Sequence, residues 1–278
     1  MRLDVAAAQG AARVTGQPKA PAVSWGDARR AVLPPLVVLA AGLLAWEVFV
    51  RATGMPPYIL PSPSAVVGDA VAHAGLYAGQ GLITLGEAVG GFLIGAGGAV
   101  IAAIFMAYSR PLEQGLLPLA VVVKATPIVA VAPLLVIWFG FGYAPKVLIS
   151  ALLVFFPVLV NAIAGFRDVS LAQLELMRSV HASAWEVFLK LRLRSSLPYL
   201  FSACKVAVNL SVIGAVVGEW SGADSGLGRL ILQASLSFHT LELFAGIGYL
   251  ALMGILLTVL VGVVERRMLF WHPSSLIG

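Results

Sequence analysis

The chain has 278 residues, of which 60% are hydrophobic and 11% are charged. A soluble domain carries about 25% charged residues, so this composition, with a mean hydropathy of +0.96, excludes a water-soluble globular protein. The net charge of +5 does not mark a nucleic-acid binder, because the positive residues sit in short segments between apolar runs and leave no basic face over.

Residues 1–30 are rich in Ala, Gly, Pro and Arg without an apolar period, and read as a disordered tail. A helix crossing a bilayer core needs about 20 apolar residues. Val32 to Val50, carrying Glu47, is the first such run. Its basic flank is long and no small-x-small cleavage site follows, so it reads as an uncleaved helix and not as a signal peptide. The loop from Arg51 to Gly81 holds Met55-Pro56-Pro57 and Leu60-Pro61-Ser62-Pro63, whose prolines disfavour helix. Leu82 to Tyr108, with Glu87, is the second span. Its small-xxx-small pairs, Gly86 to Gly90 and Gly91 to Gly95, let helix backbones approach closely, more simply within the chain than between subunits.

Leu112 to Phe139 is long and is divided by Lys124, Pro127 and Pro133. It reads as one kinked span, or as an interfacial piece followed by a span. Val147 to Phe166 and Leu243 to Val264 run without a charge, and Ser196 to Gly218 carries only Lys205. The total is about six spans. With the N-terminus in the cytoplasm, thirteen Lys and Arg fall inside, three (Arg51, Lys146, Arg229) fall outside and two fall within spans. That asymmetry places both termini in the cytoplasm. The lone Cys204 is a small packing residue, and the four histidines are scattered, so neither disulfide nor metal site is suggested.

Ionisable groups at the bilayer centre cost about 2.5–3.5 kcal/mol on insertion scales. Lys205 can snorkel to the cytoplasmic edge. Lys124 precedes Thr126-Pro127, where the proline predicts a break in the helix, and broken helices build transport sites. Lys124, Thr126, Asn161, Asn209 and Glu219 are therefore the candidate pathway residues. Interhelical hydrogen bonds explain the two asparagines equally well, and an interfacial anchor explains Glu219.

The cytoplasmic loop from Arg167 to Ser195 is not a plain linker. Ser170 is followed three residues on by Gln173, and Ser183 by Glu186. Both fit the capping box, so helices start at about Leu171 and Ala184. The first presents Leu171, Leu174 and Met177; the second presents Trp185, Phe188 and Leu189. His181-Ala182 is the break. Such a pair suits a groove on a partner protein or a bed of lipid headgroups.

The run from Glu175 through Trp185, with Leu191, Leu193 and Leu197-Pro198, resembles the EAA loop of ABC-importer permeases: Glu-Ala-Ala, three residues, Gly, nine residues, Ile-x-Leu-Pro. Glu175 takes the first position, with Leu191 and Leu193 at the Ile and Leu positions. His181 stands where the glycine belongs and Arg194 where the proline belongs, which bears on the fine geometry of the loop. The stretches Thr126-Pro127 to Pro133-Leu134, Trp138-Phe139-Gly140-Phe141-Gly142, Phe155-Phe156-Pro157, and Val216-Val217-Gly218-Glu219-Trp220 with Gly226-Leu227-Gly228 are similar to the subgroup for nitrate, sulfonate, taurine, and thiamine-pyrimidine or riboflavin uptake. The likeness covers about Leu33 to Trp271.

The resemblance implies an all-α membrane protein of about six transmembrane helices in a type I importer permease (MetI-like) bundle. Residues 31–278 would be the permease domain, with coupling helices at about 169–195. Glu175, Leu176, Met177, His181, Ala182, Trp185, Phe188 and Leu191 would meet the ATPase. Two copies would form the pathway as a homodimer, and a periplasmic or lipid-anchored solute-binding protein would deliver substrate at a bacterial inner membrane. No Gly-x-x-x-x-Gly-Lys-Ser/Thr run occurs, so the chain is expected to be no enzyme, with no cofactor of its own and ATP held by the partner subunit. The substrate class implied is a small organic nutrient or anion, with the pyrimidine or riboflavin branch favoured. The rival expectation is a secondary transporter that needs no ATPase.

Overall fold

The computed structural model describes residues 25–270; the side chains of residues 25–32 and of Leu119, Val121, Val123 and Lys124 lie outside that description. Most of the expected tail, residues 1–24, is likewise outside it. Every described element is helical. The chain divides into two units, Met1–Phe49 and Val50–Gly278.

The described residues of the first unit belong to one apolar helix, α1 (Trp25–Thr53). Its apolar run Leu33–Thr53 is long enough to cross a membrane. In the second unit, α2 (Pro63–Ala72) starts at Ser62, whose hydroxyl accepts from the Ala65 amide. Then come α3 (Ala74–Tyr108), α4 (Arg110–Ala125), α5 (Ile128–Phe139) and α6 (Tyr143–Arg167). After these follow α7 (Leu171–Ser179), α8 (Ala184–Val187), a π-helical turn at Phe188–Arg192, and α9 (Leu193–Trp220). The chain closes with α10 (Leu227–Leu236) and α11 (Thr240–Met268).

Among the described residues, five helical stretches are long and apolar enough to span a membrane, beside the shorter apolar helices Ile128–Phe139 and Leu227–Leu236, in keeping with the expected total of about six. Thr126-Pro127 splits the divided segment into α4 and the 12-residue α5, and a helix of that length rises only about 18 Å. Neither half is a full span. Two glycines with positive φ, Gly140 at 77° and Gly142 at 148°, then turn the chain into α6, a conformation that side-chain-bearing residues resist.

The core is the α3–α6–α9 triplet, packed through small residues. A Cβ added at Gly91 or Gly95 of α3 would collide with Ser150 or Ala151 of α6. One added at Gly218 of α9 would stand 2.8 Å from the Lys146 Cα, and one at Gly165 of α6 would stand 2.8 Å from the Ser196 Cα. These helices meet nearly backbone to backbone, which dispersion alone can hold where lipid removes the hydrophobic drive. The expected Gly91–Gly95 contact is thus within the chain. Ser150 Oγ, between α3 and α9, donates to the Ser211 carbonyl at 2.9 Å. Toward the loop end, Ala99, Ala103, Val154, Val158, Ala162 and Phe166 fill the interior. At the other end, Tyr77 stacks on Tyr249 of α11 with centroids 5.0 Å apart.

Candidate functional site

The two short helices of the loop from Arg167 to Ser195 are started by local bonds. Ser170 Oγ accepts from the Gln173 amide at 3.3 Å while Gln173 Oε1 accepts from the Ser170 amide at 3.2 Å. Ser183 and Glu186 repeat the exchange at 3.3 and 3.0 Å. Both capping boxes read from sequence are therefore formed, at the expected helix starts. Between them, His181 has φ 53°. The His181 amide donates to the Arg178 carbonyl at 2.9 Å, and the Ala182 amide donates to the Met177 carbonyl at 3.0 Å. These are the paired bonds of a Schellman ending, which wants its left-handed residue at this position. His181 makes a turn that glycine would make freely, and bears the steric cost of a Cβ there.

The second helix departs from expectation. It is not a separate short rod, because α8 passes through the π turn straight into α9 and makes one rod from Ala184 to Trp220. A π turn widens the hydrogen-bond ladder and commonly marks functional places. Phe188 explains why it is held here. Instead of facing a partner it is 4% exposed and packs on Phe166, with centroids 5.6 Å apart, and on Tyr108 at 6.1 Å. Trp185 stacks on the outer side of Phe188 at 5.7 Å and stays 65% exposed. Leu171, Leu176 and Val180 are also exposed, as are Glu175 and His181, whereas Leu174, Met177, Ala182 and Leu191 are half-buried. The apolar side chains offered outward are thus Leu171, Leu176, Val180 and Trp185; Leu174 and Met177 are half-buried, and Phe188 anchors the loop to the bundle.

About 30 Å away along α6, from Arg167 to Lys146, a second constellation closes the other end of the bundle. Lys146 was expected in an outer loop, but it sits in the first turn of α6, 6% exposed. Its Nζ donates to Glu87 Oε1 of α3 at 2.8 Å. Glu219 at the end of α9 is 1% exposed. Its Oε1 accepts from Thr84 Oγ1 at 2.6 Å. Its Oε2 accepts from the Gly228 amide and from the Arg229 amide, the latter at 3.2 Å. Thr84 Oγ1 accepts from the Leu227 amide at 2.9 Å, and Gln80 Oε1 from the Gly226 amide at 2.6 Å.

The free amides that open α10 are thereby satisfied by side chains of α3 and α9, a carboxylate being favoured at a helix N-terminus. A Cβ on Gly226 or Gly228 would collide with the Glu219 carboxyl. The Gly-Leu-Gly run exists to let that carboxylate in. Two carboxylates share this interior with one ammonium, and Glu87 Oε2 finds no hydrogen-bond partner among the described residues. Glu219 thus latches α9 to α3 and to the start of α10 from a buried position.

The remaining pathway candidates do not converge. Thr126 Oγ1 donates to its own helix at Val122 O, 3.2 Å, and lines an apolar cavity of about 300 Å³ with Pro157 and Leu210. Asn161 Nδ2 donates to the Pro157 carbonyl at 2.8 Å, within α6. Asn209 Nδ2 donates to Thr258 Oγ1 of α11 at 2.9 Å, in an open groove of about 750 Å³ between α9 and α11. Lys124 lies on α4 with its side chain outside the described residues. Lys205 pairs instead of merely snorkelling, its Nζ 2.5 Å from Glu265 of α11. What sequence reading missed is the Glu87–Lys146 pair; the available signal was two opposite charges inside apolar stretches, each too costly to leave alone.

The described residues form a helical bundle with membrane-length apolar helices, a capped and broken loop, and small-residue packing. The chain belongs to the family of binding-protein-dependent transport system inner membrane components, whose model matches residues 95–270. It is 37% identical over 216 residues to a probable ABC transporter permease of Haemophilus influenzae, covering 78% of this chain and 88% of that one. It is 37% identical over 240 residues to the riboflavin transport system permease RibX of Chloroflexus aurantiacus, covering 86% and 90%. It is 32% identical to the formylaminopyrimidine transport permease ThiX of Halalkalibacterium halodurans, covering 87% and 97%. Among solved structures it resembles the inward-facing MetNI methionine ABC transporter, with a TM-score of 0.63 at 15% identity, over 70% of this chain and 96% of that one. The chain is therefore a multi-pass membrane permease of an importer.

Proposed function

We propose that α7 and α8 are the surface through which an ATP-binding-cassette ATPase drives this permease. The observation that carries this is the group of exposed apolar side chains Leu171, Leu176, Val180 and Trp185, on helices started by two capping boxes and joined through the π turn to a core helix. A force applied at Trp185 is transmitted by one continuous rod to Glu219. In this reading the loop and both termini face the cytoplasm, ATP is held by the partner, and two copies of this chain enclose the pathway. A solute-binding protein delivers substrate from the other side. Its resemblance to the riboflavin and formylaminopyrimidine permeases favours a small heterocyclic nutrient over a sulfonate or nitrate.

The test is co-purification of the ATPase encoded with this permease. Leu176→Ala with Trp185→Ala should release it while the permease still elutes as a folded species. Full retention of the ATPase, or uptake that continues after its loss, contradicts the proposal and favours an ATPase-independent carrier. Uptake of labelled riboflavin against labelled taurine by the reconstituted complex separates the substrate classes.

A further inference from the structure

At the loop end of the bundle, a cavity of about 980 Å³ opens between α4 and the ends of α3 and α6. Arg110, Arg167 and Arg192 line it against a single carboxylate, Glu113, with Leu117 and Phe166 as apolar wall. Arg167 is paired with Glu113. Arg192 lies over the Tyr108 ring, 5.6 Å from its centroid, and donates to the Phe166 carbonyl at 3.5 Å. A guanidinium has five N–H donors, so neither contact exhausts its partner. Arg110 is exposed and makes no hydrogen bond or ion pair among the described residues. Three cations converging on one carboxylate leave an uncompensated positive cavity.

We propose that this cavity binds the phosphate of an anionic phospholipid from the leaflet on the loop side. Forked guanidinium donors match phosphate oxygens in geometry and charge. The depth fits as well, since α3 ends at Tyr108 and α6 at Arg167, where apolar helix gives way to charged loop. Leu117 and Pro118 line the cavity two turns along α4 from Arg110, half-buried and exposed respectively, and offer an apolar surface for acyl chains. Basic pockets between helices on the cytoplasmic side recognise acidic headgroups in this way. Leu174 of α7 completes the wall, so an occupied cavity steadies the coupling loop. The choice of leaflet rests on the sidedness proposed above; the binding itself does not.

The experiment uses the purified full-length permease in neutral detergent, with phosphatidylglycerol, phosphatidylcholine or inorganic phosphate added, and reads bound lipid by native mass spectrometry and the unfolding midpoint by thermal shift. Phosphatidylglycerol should bind and raise the midpoint, and phosphatidylcholine should not. Arg110→Ala should weaken phosphatidylglycerol binding about fivefold, the effect of one cation at a lipid surface, whereas Arg267→Ala should leave it intact. Inorganic phosphate protecting equally well, with the same Arg110 dependence, would overturn the lipid and assign the cavity to a soluble phosphate compound. Equal response to both lipids, or an unaltered Arg110→Ala variant, overturns the site. An Arg110→Ala variant that keeps lipid but sheds the ATPase assigns the arginine to a subunit contact. Labelling that placed the loop outside the cell would overturn the sidedness and leave these binding results standing.

Discussion

The turns of the loop are shaped by bonds between residues three to five apart, Ser170 with Gln173, Ser183 with Glu186, and Ala182 with Met177, and Phe188 and the Arg167–Glu113 pair tie the loop to the bundle. The opposite end is held by bonds between residues 59 and 135 positions apart, Lys146 with Glu87 and Thr84 with Glu219. The first set leaves its apolar face outside, and the second leaves nothing outside. A surface meant for a partner can be assembled from local chemistry, because it need not be buried. A latch among three helices needs long-range pairing, because unpaired charge there is intolerable.

This contrast predicts that the two ends fail differently. Lys146→Met leaves Glu87 buried beside Glu219 without its cation, and removing one partner of a buried pair costs about 3–5 kcal/mol. Its thermal unfolding midpoint in detergent should fall sharply, and adding Glu87→Gln should restore much of it; an unchanged midpoint would break the contrast at its strong end. Trp185→Ala should do the opposite. A central aromatic contact contributes at least about 2 kcal/mol to an interface, so ATPase affinity should fall about thirtyfold with little change in the midpoint.

Smaller effects sharpen the picture of the loop. Ser183→Ala removes a cap worth about 1 kcal/mol, and amide exchange over Ala184–Val187 should quicken while α6 stays protected. His181→Gly should act in the reverse sense. It relieves a left-handed Cβ costing about 1 kcal/mol, so exchange at the end of α7 should slow; faster exchange there would mean that the histidine ring supplies something the backbone does not.

The same distinction explains what could be read from the sequence. Ser-x-x-Gln, Ser-x-x-Glu and a residue tolerant of positive φ at position 181 are local signals, and each produced the element it indicated. The apolar runs found the five long spans for a similar reason, since a run of about 20 residues carries its own solvent preference. The merger of α8 into α9 was hidden, because Phe188 and the π turn depend on Phe166 and Tyr108 being present behind them. Lys146 looked like a loop residue because only its Glu87 partner draws it inside. Thr126, Asn161 and Asn209 are polar groups that three different neighbours satisfy, and no one-dimensional signal separates such residues from a shared site.

The most direct test of the coupling claim is the side of the membrane on which α7 lies. In a Cys204→Ser background, Leu176→Cys provides one exposed thiol for a membrane-impermeant maleimide. The account predicts labelling in inverted vesicles and none in intact cells, with protection when the ATPase is bound. Labelling from outside intact cells would contradict it.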